Sequence, residues 1–194
     1  MRIVAGRWKG AAIEAPRGKD VTRPTTDRVR EAIASMAQSC FGLCLDGISV
    51  LDAYAGSGAM GFEMLSRGCA HVSFMDKDKP SYLRIKRTAK NLKAEPGEAN
   101  IWLGDVEKAA LRPMVGAPFD LVFLDPPYAK DIREVQALVD NLYENNNLGS
   151  QFYIIYEHGK GQPALTSPYC TLIKQKRYGT CLVDLYGKKE GIDG

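Results

Sequence analysis

No stretch of this chain approaches the roughly 20 consecutive apolar residues that a membrane-spanning helix needs. The opening Met1-Arg2-Ile3-Val4-Ala5-Gly6-Arg7 also lacks a signal peptide's long apolar stretch, so a cytoplasmic protein without membrane attachment is expected. Cysteine is scarce and odd in number. Cys40, Cys44, Cys69, Cys170 and Cys181 are scattered, which argues against a disulfide framework. Cys40 and Cys44 have the spacing of two residues on one helix face, but no His or further Cys lies near them. An apolar role therefore fits them better than zinc, and no metal is expected. Repeats, low-complexity tracts and linkers are missing as well. What remains is the composition of an ordinary globular protein, 45% hydrophobic and 25% charged. At 194 residues the chain has room for one sizeable domain with at most a small appendage.

Charge is distributed unevenly. The formal net charge is +3, yet residues 1–30 carry eight basic side chains against three acids, a balance of +5 that leaves −2 for the rest. Arg2, Arg7, Lys9, Arg23, Arg28 and Arg30 belong to this segment. Such a bias reads either as an electrostatic footprint for a polyanion or as a solvated surface segment. Weak alternation over residues 2–5 and 11–14, around Gly6 and Gly10, predicts a small β-hairpin with Arg7, Trp8 and Lys9 at its tip. Thr25 or Thr26 is placed to cap a helix whose apolar face is Val29, Ile33 and Met36.

From residue 48 onward strands and helices alternate. Strands are predicted over 48–52, 71–75, 100–103, 119–124 and 152–157, with helices over 59–67, 79–93, 105–112 and 131–144. This alternation implies a doubly wound, mostly parallel sheet covered on both faces. It ends in two strands, Thr171 to Arg177 and Thr180 to Tyr186, about a tight Tyr178-Gly179 turn, hence an antiparallel hairpin at the sheet edge.

Four strands deliver acids to their carboxyl ends, where open α/β sheets bind ligands. Asp125-Pro126-Pro127-Tyr128 follows the apolar run Phe119 to Leu124. There a carboxylate accepts hydrogen bonds from a planar amine, the prolines fix φ, and the aromatic ring stacks on a flat base. Val50-Leu51-Asp52 runs into Gly56-Ser57-Gly58-Ala59-Met60-Gly61, a Gly-x-Gly-x-x-Gly turn that lets backbone approach a ligand. A dinucleotide is the obvious candidate for such a turn. However, a carboxylate at Asp52 would repel a pyrophosphate and attract an ammonium, which favours S-adenosylmethionine over NAD. Asp76 lies some twenty residues past the glycines, where an acid meets ribose hydroxyls, and Asp105 follows the third strand, where it faces an adenine amino group. Each acid alone also reads as a helix N-cap.

Taken together, these segments resemble a known family. Arg23-Pro24-Thr25-Thr26-Asp27-Arg28-Val29-Arg30-Glu31-Ala32 resembles a signature of bacterial 16S ribosomal RNA guanine-N2 methyltransferases, class I enzymes that use S-adenosylmethionine. Arg2 to Gly6, Leu51 to Ala59, Leu65 to Gly68, Asp125 to Tyr128 and Arg177 to Thr180 match in the same order, so the resemblance spans essentially the whole chain. The chain departs from the pattern at Ala11-Ala12, where basic residues are common, and at Ala34-Ser35, where Phe-Asn is common.

The resemblance implies a seven-stranded methyltransferase domain over residues 47–194 behind a basic extension over 1–46, and a monomer is expected. It implies methyl transfer to one guanine of 16S rRNA in the small ribosomal subunit or an assembly intermediate. Cofactor contacts fall to Asp52, Tyr54, Gly56, Ser57, Gly58, Asp76, Lys77, Asp105 and Val106, and the target base to Asp125, Pro126, Pro127 and Tyr128. RNA contacts fall to Arg2, Arg7, Lys9, Arg23, Thr25, Arg28 and Arg30. On this reading the Asp125 carboxylate and Pro126 carbonyl accept the two N2–H bonds of the guanine and Tyr128 stacks on it. At an ordinary carboxylate pKa of about 3.9, Asp125 is expected to orient and stabilise charge rather than act as an efficient base. Two alternatives remain open: an adenine-N6 DNA methyltransferase, and a non-catalytic RNA-binding assembly factor. Against the first, residues 48–187 are consumed by the sheet, with none left for a DNA-recognition domain.

Overall fold

A computed structural model describes residues 1–15 and 27–192. Helix α1 (Asp27–Cys40) leads into β1 (Ser49–Asp52), α2 (Ala59–Ser66), β2 (His71–Asp76), α3 (Lys79–Asn91) and β3 (Ala99–Leu103). The chain continues through α4 (Val106–Ala109), β4 (Phe119–Leu124), α5 (Ile132–Glu144), β5 (Leu148–Gly159), β6 (Cys170–Tyr178) and β7 (Cys181–Lys188). The seven strands form one sheet in the order β3-β2-β1-β4-β5-β7-β6. β1 to β5 pair in parallel, and β7 runs antiparallel to both β5 and β6.

The burial of the central strands explains their sequences. β1 is buried at all four positions and β4 at five of six, as expected for a parallel sheet covered on both faces. One core, including Phe62, Leu65, Phe74 and Leu121, fills the α1–α2–α3 side; the other, including Val122, Leu138, Leu142 and Ile154, fills the α4–α5 side. α5 shows the pattern most cleanly. Val135, Leu138, Val139 and Leu142 are buried at helical spacing, and Asp131 caps the start by accepting from the Arg133 N–H at 2.9 Å.

Several element boundaries differ from the sequence expectation. The N-terminal segment folds back on itself about a bridge of Arg2 with Ala12, without forming regular strands. Three backbone bonds flank it, Ile3 N–H to the Ala11 carbonyl, Gly10 N–H to that of Ile3 and Ile13 N–H to that of Met1, each at 2.9 Å. The intervening donors dock the segment on α2: Val4 and Ala5 N–H groups donate to the Glu63 carboxylate at 2.8 and 3.1 Å, and those of Arg7 and Trp8 go to Ser66 at 2.8 and 3.0 Å. Gly6 is fixed at that junction, because a Cβ there would lie 1.8 Å from the Ser66 carbonyl oxygen. Helix α4 covers four residues rather than residues 105–112, since Arg112 precedes Pro113 and is disfavoured in helical geometry. β5 begins earlier than predicted, at Leu148, because a register shift between Phe119 and Leu121 lets β4 pair with its outer end. The terminal turn is Gly179-Thr180, one residue later than expected, between the paired Tyr178 and Cys181. α1 covers the predicted apolar face, but Thr25 and Thr26 lie outside the described residues.

Candidate active site

At the carboxyl ends of β1, β2, β3, β4 and β5 lies one open cavity of about 240 Å³, and its lining joins both candidate motifs. Gly56, Asp76, Lys77, Asp105 and Val106 form one end, with Asp125, Pro126, Pro127 and Tyr128 at the other. Tyr54, Glu107, Lys130 and Glu157 lie along the same wall. Segments as far apart in sequence as Ala53 and Glu157 thus share one chamber.

At the glycine-rich end, the strand-end acids brace the loop and also reach the chamber. Asp76 accepts from the Gly56 N–H at 2.7 Å and from the Asp78 N–H at 2.8 Å. A carboxylate offers about four lone-pair sites, so these bonds leave acceptors for a ligand. Gly58 lies at φ 74°, and a Cβ on it would stand 2.9 Å from the Phe62 ring, so the turn into α2 requires glycine. Asp105 caps α4, accepting from the Glu107 and Lys108 N–H groups at 3.1 and 3.4 Å, while also lining the cavity. Capping and cavity lining coexist at Asp105.

Asp52, Ser57 and Gly58 stand behind the lining rather than on it. Asp52 is only 6% exposed and accepts from the Gly61 N–H at 3.1 Å. Burial pushes its carboxyl up to about 7; the Gly61 bond opposes the shift and the charge of Asp76 adds to it. Asp52 therefore braces the start of α2 through the Gly61 N–H.

A linked set of polar groups crosses the wall between the two ends. Tyr54 donates its hydroxyl to Glu107 at 2.8 Å, and Lys130 Nζ bridges Glu107 and Glu134 at 2.6 Å each. Burial opposes ionisation of Glu107, yet hydrogen bonds from Asp105, Lys130 and Tyr54 together hold its carboxyl down at about 2. Asp105 is raised in turn, chiefly by its hydrogen bond with Glu107.

At the other end, Asp125 is accessible through the cavity, while protein atoms enclose its remaining sides. That enclosure raises its pKa well above the usual carboxylate range, and the charges of Glu157 and Asp52 raise it further. Glu157 arrives there by register: Leu124 pairs with Tyr156, which sets the next residues of the two parallel strands side by side. Cys181 donates its thiol to Glu157 at 3.2 Å. Tyr128 is 57% exposed. Its carbonyl accepts from Gln162 Nε2 at 2.9 Å, and Gln162 Oε1 accepts from the Gly159 N–H at 2.7 Å.

Sequence reasoning missed Glu107, Lys130 and Glu157. The rule that selected the other strand-end acids would also have selected Glu157, at the predicted end of the fifth strand. Glu107 and Lys130 carry no comparable signal, since they meet only through the fold. Among the predicted RNA contacts, Arg2 pairs with Asp27 at 3.0 Å, and Arg7 pairs with Glu98 at 2.7 Å while stacking over Trp8. Lys9 and Arg28 are exposed. Arg30 corrects the expectation: it is 1% exposed and donates to the Arg2 carbonyl at 2.7 Å and to Asp27, so its guanidinium holds the N-terminus to α1 instead of facing RNA. Arg23 and Thr25 lie outside the described residues.

Residues 1–187 match the sequence family described as "Conserved hypothetical protein 95". The chain belongs to that family. A similar family protein is ribosomal RNA small subunit methyltransferase D of Haemophilus influenzae, 34% identical across 96% of this chain and 93% of that protein. The corresponding Escherichia coli K12 protein is 29% identical across 97% of this chain and 90% of its own length. The solved structure of Escherichia coli yhhF overlays with a TM-score of 0.80 at 28% identity, covering 97% of this chain and 98% of that one. The fold extends further, to magnesium protoporphyrin IX methyltransferase from Synechocystis, with a TM-score of 0.63 at 14% identity over 84% of this chain and 79% of that one.

Proposed function

We propose that this chain transfers a methyl group from S-adenosylmethionine to the exocyclic N2 of a guanine in small-subunit ribosomal RNA. The observation that carries this reading is the shared cavity, in which the glycine turn and strand-end acids open onto Asp125-Pro126-Pro127-Tyr128. The relatives named small-subunit rRNA methyltransferases support the acceptor class.

The residues present fit this cofactor. Asp76 has acceptor capacity beyond its two backbone bonds, Asp105 faces the same chamber beside Val106, and the Gly56 turn keeps side chains out of the way. When bound, S-adenosylmethionine supplies an electrophilic methyl group on a sulfonium sulfur. Because that methyl is already activated, the protein's work is to position and deprotonate the acceptor.

A guanine amine is a poor nucleophile, since its lone pair is delocalised into the ring. Asp125 and the Pro126 carbonyl would accept its two N–H bonds, fixing the direction in which the nitrogen presents itself. The Tyr128 ring, held by Gln162 through its own carbonyl, offers a stacking face at the cavity mouth. Positive charge grows on N2 as it accepts the methyl, and the Asp125 carboxylate stabilises that charge. The raised pKa of Asp125 changes its role from the one its sequence suggests. With Glu157 beside it, Asp125 is a competent acceptor for the departing N2 proton, which then passes to cavity water.

The reading is tested by incubating the protein with methyl-labelled S-adenosylmethionine and three acceptors: small ribosomal subunits, naked 16S rRNA and duplex DNA. Label in either RNA substrate is expected. Label confined to DNA, or in none of the three, would reject the reading.

A further inference from the structure

The cavity raises an electrostatic problem for a polyanionic acceptor. Asp76, Asp105, Glu107, Asp125 and Glu157 line it against only Lys77 and Lys130, and Lys130 is already paired with Glu107 and Glu134, so phosphates approaching the mouth meet an excess of carboxyl groups. Cations flanking that mouth must offset the repulsion, and the N-terminal arginines are partly spent. Arg2 and Arg7 are paired with Asp27 and Glu98, and Arg30 is buried.

A different set of cations lies beside the mouth. Residues 160–192 contain six basic side chains and two acids, one of which, Asp184, is fully buried. Lys160, Lys176 and Arg177 are exposed, and none of them forms an ion pair among the described residues. Strand register brings them to the catalytic end. Lys176 pairs with Val183, which pairs with Glu157, so Lys176 stands two strands away from that acid, about 10 Å across the sheet. Lys160 donates its N–H to the Thr180 carbonyl at 3.1 Å, tying its loop to the hairpin turn, and Arg177 Nε donates to the Gly179 carbonyl at 2.9 Å. The same loop carries Gln162, which holds the Tyr128 carbonyl. A continuous chain of contacts thus links the base-stacking ring to this cationic turn.

We propose that the β6–β7 turn and the Gly159–Gln162 loop form a phosphate-binding surface that grips the RNA backbone beside the target nucleotide. This inference rests on the proposed RNA methyltransferase function and locates the acceptor's path on the side opposite β3. The competing explanation is that lysines on an exposed edge strand merely deter edge-to-edge association. That role would not affect RNA binding.

The test is a Lys160→Ser, Lys176→Ser, Arg177→Ser triple variant, titrated with small ribosomal subunits and with naked 16S rRNA at several salt concentrations. Each lost phosphate contact lowers the log–log salt slope by roughly 0.7–0.9, so the triple variant should lose roughly 2.1–2.7. Affinity at low salt should fall tenfold or more, with S-adenosylmethionine affinity and melting temperature unchanged. A charge-conserving variant, Lys160→Arg, Lys176→Arg, Arg177→Lys, should retain the wild-type slope. If wild type binds and methylates RNA but the serine variant keeps both slope and affinity, this surface is overturned and the activity stands. If wild type binds neither RNA substrate, the surface and the proposed function fall together.

Discussion

At the scale of single residues, the catalytic end is governed by acids placed close together. Burial raises the cost of ionising Asp125, and the charges of Glu157 and Asp52 raise it further. Asp125→Asn should lower single-turnover methyl transfer about 100-fold or more while leaving S-adenosylmethionine affinity intact, measured by rapid quench and calorimetry. The active form is the carboxylate, so activity falls as pH drops through its raised pKa. Glu157→Gln removes a neighbouring negative charge, lowers that pKa and should move the acid limb of the pH–rate profile to lower pH. An unmoved limb would show that the two carboxyls do not interact. Asp52 gives a stability counterpart. Its pKa rises on folding from the ordinary 3.8 to about 7, so the folded state binds an extra proton between those values and loses stability as pH rises through them. Asp52→Asn should therefore gain on wild type as pH rises from 4 to 8, by at most about 4 kcal/mol, in paired thermal melts. A constant difference across that range would contradict the shift.

At the scale of elements, the N-terminal segment is anchored by one buried carboxylate. Glu63 in α2 is fully buried, accepts from two backbone N–H groups of the opening strand, and receives Arg67 Nε at 2.8 Å. Glu63→Ala strands a mostly buried guanidinium and two backbone donors, and should cost about 3–5 kcal/mol in urea unfolding. A loss under 1 kcal/mol would mean that the segment is held by Ile3 and Ile13 instead. The sequence disclosed the central elements well because their signals are local. β4 is an unbroken apolar run, and α5 shows both a cap and helical spacing. It disclosed the edges poorly because those depend on partners distant in the chain. The alternation around Gly6 and Gly10 foretold the bonds between Ile3 and Ala11 and between Ile13 and Met1, but not the docking of Val4, Ala5, Arg7 and Trp8 on Glu63 and Ser66. Arg30 looked like a surface cation because nothing local marks it as buried. Its burial follows from α1 packing against the first residues.

At the scale of the molecule, a single sheet brings the ends of five strands to one chamber, and the antiparallel hairpin closes its far edge. This explains why the strand-end acids could be selected from the sequence while the Tyr54–Glu107–Lys130–Glu134 set could not. The acids follow a rule of topology, whereas the polar set exists only where α4, α5 and the β1 loop converge. The same topology separates two tasks, with the glycine turn at one end of the chamber and the base-receiving loop at the other. The account's central claim is that these ends cooperate on one nitrogen. The most direct measurement is mass spectrometry of nucleosides from small-subunit RNA, isolated from cells lacking this protein and treated with it and S-adenosylmethionine. The account predicts N2-methylguanosine at a single position, absent when Asp125→Asn replaces wild type. Methylation on another nucleoside, or N2-methylguanosine formed equally well by the Asp125→Asn variant, would contradict it.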